Sequence, residues 1–175
     1  PSELDIHWLK NTTTPLLDKP RLLYVGRIKV EKGIFSLFKI FNEMAADVEL
    51  SIVGKEDGLK LNNKKINFLG YGYDAAALIK IYDNHNISIL PSFTEAHPKF
   101  VDESLARKRP VIIFEEISHI VQNRYGVFVS KRDALSLDKT IEFIMKNYSK
   151  IQDSMTNNIL PTKKKFISQM TNILS

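Results

Sequence analysis

Short apolar segments alternate with segments of helical periodicity along most of this chain, and this alternation restricts the fold more than any other feature. The apolar segments predict strands at 21–26, 48–54, 66–70, 87–90, 110–114 and 126–130. Helical periodicity is found near 34–41 and at 75–83, 98–108, 116–122 and 133–147. Apolar strands that alternate with helices are typical of a parallel sheet covered on both faces. We therefore predict an α/β fold, a single Rossmann-like, doubly wound parallel sheet with helices on both faces.

Two flanking segments lie outside the alternating pattern. Residues 1–20 are polar and are interpreted as an N-terminal arm or an interdomain linker. The Rossmann-like domain is assigned to residues 21–148, which are enough for one substantial core. Helical patterning around 150–158 and 163–174 predicts a C-terminal helical segment over 149–175. Because the sequence begins without Met, we expect it to be a piece of a longer protein.

Composition excludes several functional classes. The chain has no cysteine, which excludes disulfides, thiolate catalysis and zinc sites with cysteine ligands. It has no run of about 18 apolar residues and no signal-peptide pattern at its start, so we expect a cytoplasmic protein.

The net charge of +5 is mild and arises partly from two short basic runs, 107–109 and 163–165. We interpret both runs as solvated surface. No nucleic-acid motif accompanies them, so nucleic acid is not an expected partner. Weak attraction to an anionic membrane surface agrees better with this charge, and we expect at most a peripheral association with the inner face of a membrane.

Basic and glycine-rich segments follow the first three predicted strands. Arg27 and Lys32 precede the first helix, and a guanidinium fork and an ammonium group both suit phosphate. Gly54 follows the second strand, and Tyr71 stands between two glycines after the third. A solvated loop, a turn or packing would also explain each of these residues. Their spacing matches neither a P-loop nor a dinucleotide fingerprint.

The segment Ile87–Pro110 carries the strongest functional signal. An apolar strand leads into a loop with Glu95, and a helix that begins near Pro98 carries Glu103. In a parallel sheet, ligands bind at the loops after the strands, and the N-terminus of the next helix favours an anion there. A carboxylate can accept hydrogen bonds from two hydroxyl groups. This combination predicts a sugar nucleotide; the alternative is that Glu95 ends a loop and Glu103 faces solvent.

Metal and triad chemistry have no support in the sequence. The four histidines are far apart and show no i, i+4 pairing, so we predict no metal site. A Gly-x-Ser-x-Gly elbow is also missing, which leaves no basis for a serine nucleophile. We also predict no cofactor.

Taken together, these segments resemble the C-terminal, donor-binding domain of retaining glycosyltransferases of family four, which have the two-domain GT-B fold. The resemblance extends from Arg21 to Ile144 and predicts that this chain is one half of a GT-B fold. It rests on the segments GRIKVEKG, SIVGKEDG, INFLGY, SILPSFTEAHPKFVDESLARKRPVI and YGVFVS, in this order.

The resemblance also implies roles for individual residues. It implies that Arg27 and Lys32 contact the donor diphosphate and that Glu95 binds the transferred sugar. It further implies that Glu103 binds the ribose hydroxyls and that the loop 69–71 lies against the base. No metal is implied, and catalysis is expected to rest on electrostatic stabilisation of the leaving diphosphate. The expected catalytic residues are Glu95, Arg27 and Lys32, and the expected donor-binding residues are Glu103, Gly54, Tyr71, His97 and Lys99.

The sequence departs from the family pattern in two places. Ala96–Pro98 stands where the family usually has Gly-Phe-Gly, and Pro98 lacks a backbone N–H that could meet the donor. We hypothesise that His97 and Lys99 take over that interaction. The second departure is Glu115–Val121, which stands where the family usually has a glycine-rich turn.

The implied function is transfer of a sugar from a nucleoside-diphosphate sugar to a glycan or a lipid-linked acceptor. The family places the acceptor site in an N-terminal domain that nothing in this sequence matches, so we expect this chain to bind donor but transfer sugar poorly alone. The alternative, favoured by the altered loop at Ala96–Pro98, is a non-catalytic Rossmann-like module that binds a phosphate ligand or a protein partner. An oxidoreductase is disfavoured because the glycine fingerprint is missing. The base remains open among uridine, guanosine and adenosine.

Overall fold

Six parallel strands form one sheet in the computed structural model, which describes residues 3–56, 61–162 and 170–174. The strands are β1 (Arg21–Val25), β2 (Glu49–Val53), β3 (Ile66–Gly70), β4 (Ile87–Leu90), β5 (Val111–Phe114) and β6 (Val127–Ser130). Their order is β3-β2-β1-β4-β5-β6, the order of the Rossmann sheet. The predicted doubly wound α/β fold is confirmed.

Helices flank the sheet. They are α1 (Ile34–Glu43), α2 (Ala75–Asp83), α3 (Lys99–Ala106), α4 (Ala134–Lys146) and α5 (Tyr148–Met155). Short polar residues cap two of them: Asp74 accepts a hydrogen bond from the backbone N–H of Ala77, and Asp133 accepts one from Ser136. The segment predicted as a helix at 116–122 is a 3-10 helix over Glu115–Val121.

The chain winds outward from the centre of the sheet in both directions. The connection from β1 to β2 contains α1, and the connection from β4 to β5 contains α3. Because such crossovers are right-handed and these two run in opposite directions, α1 and α3 lie on opposite faces. The central strands β4 and β5 are buried along their whole length, as expected for strands covered on both faces.

The N-terminal arm is held by two buried arginines. Arg107 forms two hydrogen bonds with the carboxylate of Asp83, at 2.8 and 2.7 Å. Both guanidinium groups also donate to backbone carbonyls of the arm. Arg107 donates to the carbonyls of Trp8, Lys10 and Asn11. Arg109 donates to the carbonyl of Thr13. Only 1% of Arg107 and 0% of Arg109 is exposed, so the interpretation of 107–109 as a solvated run is wrong for both arginines. A guanidinium has five donors, and the arm supplies the acceptors that make its burial tolerable.

The C-terminal segment packs back on the sheet through α5. The Tyr148 hydroxyl, at the start of α5, donates a hydrogen bond of 2.6 Å to the carbonyl of Asn86 beside β4. Of the helix predicted at 163–174, residues 163–169 lie outside the described residues and 170–174 are helical. The basic run at 163–165 therefore also lies outside the described residues.

Among the helices that the structure describes, none combines the length and the apolar character needed to cross a membrane.

Candidate functional site

The carboxyl ends of β1 and β4 lie side by side, and a cavity of about 240 Å³ opens between the loops that follow them. Adjacent strands whose connections leave in opposite directions create a crevice where α/β proteins bind ligands. Four residues predicted for the site line this cavity, namely Lys32, Glu95, His97 and Lys99.

Close backbone contact fixes the spacing of the two loops. Gly33 has a φ of +69°, and a Cβ atom there would lie 1.8 Å from the carbonyl oxygen of Pro91. Beside this contact, the backbone N–H of Phe93 donates to the carbonyl of Glu31 at 3.2 Å. Only glycine tolerates both the positive φ and the contact. The loops after β1 and β4 are therefore held together by their backbones.

Lys32 and Glu95 form an ion pair in the cavity. The Lys32 Nζ lies 2.6 Å from the Glu95 Oε1, and the Ser92 hydroxyl donates to the same oxygen at 2.8 Å. The two charged side chains are 22% and 11% exposed. Such partial burial leaves an ion pair less screened than one on the open surface. The cation expected to meet phosphate and the carboxylate expected to meet sugar thus neutralise each other.

Glu103 lies on the inner side of α3, and the alternative that it faces solvent is wrong. Glu103 is 6% exposed, and its Oε2 accepts a hydrogen bond of 2.8 Å from the Tyr82 hydroxyl. The Lys99 Nζ is 3.6 Å from the other oxygen. Burial raises the pKa of the Glu103 carboxyl above its ordinary value, and the Tyr82 and Lys99 contacts oppose this shift. Glu103 does not line the cavity itself; Lys99 connects it to the cavity.

A second cavity, of about 310 Å³, adjoins the first. It lies beyond the ends of β1, β2 and β3, and it shares the wall formed by Val25 and Gly26 with the first cavity. Arg27, Gly54 and Tyr71 all line it, so the structure brings these three predicted residues together. Tyr71 is 65% exposed, which leaves its ring accessible.

Gly54 also has a packing role in this second cavity. A Cβ atom on Gly54 would lie 2.3 Å from the carbonyl oxygen of Gly26, so glycine is needed for the loops to approach. Its backbone N–H already donates to the carbonyl of Gly70 at 2.9 Å. Of the turn 54–58, residues 57 and 58 lie outside the described residues.

Two residues that the sequence analysis did not select support the loop that carries Glu95. The Arg132 guanidinium lies 4.1 Å from the ring centroid of Phe93 and donates to the carbonyl of Pro91 at 2.9 Å. The Nε2 of His119 lies 2.8 Å from the Glu95 carbonyl oxygen. Arg132 follows β6, so the rule that selected Glu95, polar residues just after strands, would have found it as well. No comparable signal marked His119.

The 3-10 helix over Glu115–Val121 is tied to the same support. Glu116 receives hydrogen bonds from Arg132 at 2.8 and 3.2 Å, and the contact lowers the pKa of the Glu116 carboxyl.

Within the ranges that the structure describes, no group of three or more His, Cys, Asp or Glu residues is placed to hold a metal ion.

Comparison with models of protein families shows the family to which this chain belongs. The model of the family described as glycosyl transferases group 1 matches residues 19–147, which is most of the sequence. The chain belongs to the group 1 glycosyl transferases. Comparison with curated protein sequences finds no significant match.

Several solved structures share the fold. Sucrose-phosphate synthase from Thermosynechococcus elongatus has a TM-score of 0.70 at 20% identity, covering 91% of this chain and 45% of the synthase. Anabaena HepE in complex with UDP-glucose has a TM-score of 0.67 at 16% identity, covering 89% and 49%. The lipopolysaccharide outer core galactosyltransferase WaaB has a TM-score of 0.65 at 17% identity, covering 95% and 52%.

This chain therefore spans about half the length of the glycosyltransferases that it matches. At such identities the likeness shows the fold alone. The predicted architecture, one half of a GT-B glycosyltransferase, is confirmed.

Proposed function

We propose that this chain is the donor-binding domain of a retaining, metal-independent glycosyltransferase. It takes a sugar from a nucleoside-diphosphate sugar, and the acceptor is a glycan or a lipid-linked molecule. The observation that carries the proposal is the meeting of Lys32 and Glu95 at 2.6 Å in the cavity between β1 and β4. A cation for phosphate and a carboxylate for sugar hydroxyls stand together where ligands of α/β folds bind.

The two adjoining cavities suit a ligand with two different ends. The base lies in the cavity of about 310 Å³ against Tyr71, and the sugar lies in the cavity of about 240 Å³ against Glu95. The ribose follows the base past Gly26, whose backbone lines both cavities, and the diphosphate then lies between the ribose and the sugar, within reach of Arg27 and Lys32. One structural relative, HepE, is a complex with UDP-glucose, and this supports the same class of donor.

Glu103 takes the ribose hydroxyls in this proposal, with Lys99 beside it. Its carboxylate is held by Tyr82 and lies 3.6 Å from the Lys99 ammonium group, so the donor reaches it when Lys99 turns away from Glu103. Because Pro98 has no backbone N–H, it cannot donate a hydrogen bond to the ligand. His97 and Lys99 both line the cavity, which supports the hypothesis that their side chains bind the donor instead.

The chemistry is electrostatic. As the bond between the sugar and the diphosphate breaks, negative charge grows on the diphosphate, and Arg27 and Lys32 stabilise it. Preorganised cations of this kind are among the largest contributions to catalysis. They make a metal ion unnecessary in the proposed reaction.

A second domain completes the enzyme in this proposal. The chain spans 45% of sucrose-phosphate synthase and 52% of WaaB, which leaves room for an acceptor domain of similar size. The isolated chain then binds donor but transfers sugar poorly. We place the enzyme in the cytoplasm, in the synthesis of surface polysaccharide or lipid-linked glycan, with at most a peripheral contact with the membrane.

Calorimetric titration of this chain tests the donor site. The ligands are UDP, GDP and ADP together with a sugar derivative of each. Arg27→Ala removes a cation from the proposed diphosphate path, and Glu103→Gln removes the carboxylate charge at the ribose. Lys29→Ala is the matched control, because Lys29 is an exposed residue of the same loop that lines neither cavity.

The proposal is supported if one nucleotide class binds saturably. Arg27→Ala and Glu103→Gln should weaken this binding, and Lys29→Ala should leave it unchanged. Binding that all variants retain contradicts the assigned site. Failure of every nucleotide to bind contradicts the donor site in this chain and favours the non-catalytic module, whose best support is the proline at position 98.

A further inference from the structure

An ion pair between two of its own lining residues lies in the cavity between β1 and β4. Lys32 and Glu95 satisfy each other at 2.6 Å, and Ser92 adds a hydrogen bond to the same carboxylate oxygen. The other ammonium group lining this cavity, that of Lys99, faces Glu103 at 3.6 Å. An incoming ligand therefore competes with an existing contact for Lys32.

A ligand that carries only phosphate disrupts this arrangement. It draws Lys32 away from Glu95 and leaves a carboxylate that is 11% exposed without a cation. Removing one partner from a partly buried pair is unfavourable because the remaining charge is poorly solvated. Ser92 supplies one hydrogen bond, which does not replace the positive charge.

A ligand that carries phosphate and a sugar avoids this penalty. Its phosphate binds Lys32 while its hydroxyl groups donate hydrogen bonds to Glu95. Hydrogen bonds to an ionised acceptor are about twice as strong as those between neutral groups. Both halves of the ion pair then have new partners.

We propose that the Lys32–Glu95 ion pair makes the site discriminate between the intact donor and the nucleoside diphosphate that remains after transfer. The proposal rests on the function proposed above. The intact donor satisfies both charges, whereas the spent nucleotide satisfies Lys32 alone. Re-formation of the pair after transfer therefore promotes release of the nucleoside diphosphate.

Simple repulsion between Glu95 and any phosphate is the competing explanation, and a charge-matched control separates the two. Glu95→Gln keeps the shape of the side chain and frees Lys32. Glu31→Gln removes the same charge from the residue next to Lys32, but Glu31 is exposed and lies outside the pair. General repulsion predicts similar effects of the two variants, and the ion pair predicts an effect of Glu95→Gln alone.

The test is titration calorimetry on the full chain with three pairs of ligands: UDP and UDP-glucose, GDP and GDP-mannose, ADP and ADP-glucose. For the pair that binds, we expect the wild type to favour the sugar nucleotide. Glu95→Gln should tighten diphosphate binding about tenfold and weaken sugar-nucleotide binding about tenfold, since a hydrogen bond to a charged group contributes about this factor. Glu95→Ala should tighten diphosphate binding in the same way, and Glu31→Gln should change neither affinity.

Other results overturn the inference. If Glu95→Gln and Glu95→Ala change both affinities by the same factor, or if Glu31→Gln tightens diphosphate binding equally, the pair does not discriminate, while the donor site itself stands. If the wild type binds no ligand of any pair, the donor site fails and the inference fails with it.

Discussion

His119 and Glu95 are joined by a hydrogen bond: the Nε2 of the imidazole lies 2.8 Å from the Glu95 carbonyl oxygen. Because a carbonyl only accepts hydrogen bonds, the Nε2 carries the proton in this contact. His119 lies in the 3-10 helix over Glu115–Val121, where the family pattern is interrupted. The unusual segment is thus connected to the carboxylate proposed to bind the sugar.

The first prediction concerns this hydrogen bond. His119→Ala should weaken sugar-nucleotide binding about two- to tenfold, because one net hydrogen bond contributes about 0.5–1.5 kcal/mol to the placement of Glu95. His119→Gln should recover part of the affinity, since its amide can donate to the same carbonyl. Calorimetry measures both, with His7→Ala, in an exposed part of the arm, as the control. Equal affinity of wild type and His119→Ala would show that the contact does not position Glu95.

The second prediction compares two glycines with positive φ. At Gly33 a Cβ atom would lie 1.8 Å from the Pro91 carbonyl oxygen, whereas at Gly72, with a φ of +83°, nothing lies within 4 Å. Gly72→Ala should lower the free energy of unfolding by about 1–2 kcal/mol, from backbone strain alone. Gly33→Ala should lower it further, because strain and collision add. Urea denaturation measures both; equal losses would contradict the backbone contact between the loops.

The third prediction concerns the buried arginine at the arm. Arg107→Met should lower the free energy of unfolding by about 3–5 kcal/mol, because the Asp83 carboxylate and the arm carbonyls are left without their donor. It should also make the arm sensitive to limited proteolysis before the rest of the chain. Lys146→Met, which removes an exposed cation paired with Glu142, is the control and should change neither property. An arm that stays protected in Arg107→Met would contradict its anchoring by this residue.

The fourth prediction concerns pH. Burial raises the pKa of Glu103 above its ordinary value of 4.5, so the folded state holds a proton that the unfolded state has released. The contribution of Glu103 to stability is therefore greatest below pH 4.5 and falls as the pH rises through the folded-state pKa. Glu103→Gln should remove this fall, since a glutamine does not titrate. Urea denaturation of both chains from pH 4 to pH 8 measures the difference, and parallel curves would show that the Glu103 pKa is unshifted.

The sheet and the position of the site could be predicted from the sequence. Apolar runs mark β1, β4 and β5 because parallel strands are buried on both faces. Since the ends of such strands lie at one edge, Lys32 and Glu95 were predicted at the same crevice. Their direct pairing was not predictable. It depends on the close backbone contact at Gly33, and the spacing of residues in the sequence does not reveal how closely two loops approach.

The burial of Arg107 and Arg109 was unpredictable for a different reason. A short basic run usually lies in solvent, and only the carbonyls of an arm almost a hundred residues earlier in the sequence satisfy these guanidinium groups. In the segment Glu115–Val121, Ile117 and Ile120 are buried at a spacing that suits both an α-helix and a 3-10 helix. Periodicity alone could not distinguish the two, so the position of His119 beside Glu95 was also hidden.

The contact between Gly33 and the carbonyl of Pro91 limits how far the crevice moves when side chains around it change. Main-chain atoms set the distance between the two loops at this contact, so side chains that support neither loop can change without moving the crevice. Ala96–Pro98, where the family resemblance predicts Gly-Phe-Gly, is an example of such a difference. In the donor site proposed above, a few substitutions can therefore alter the contacts with the ligand while the strands and the loop contact at Gly33 stay as they are.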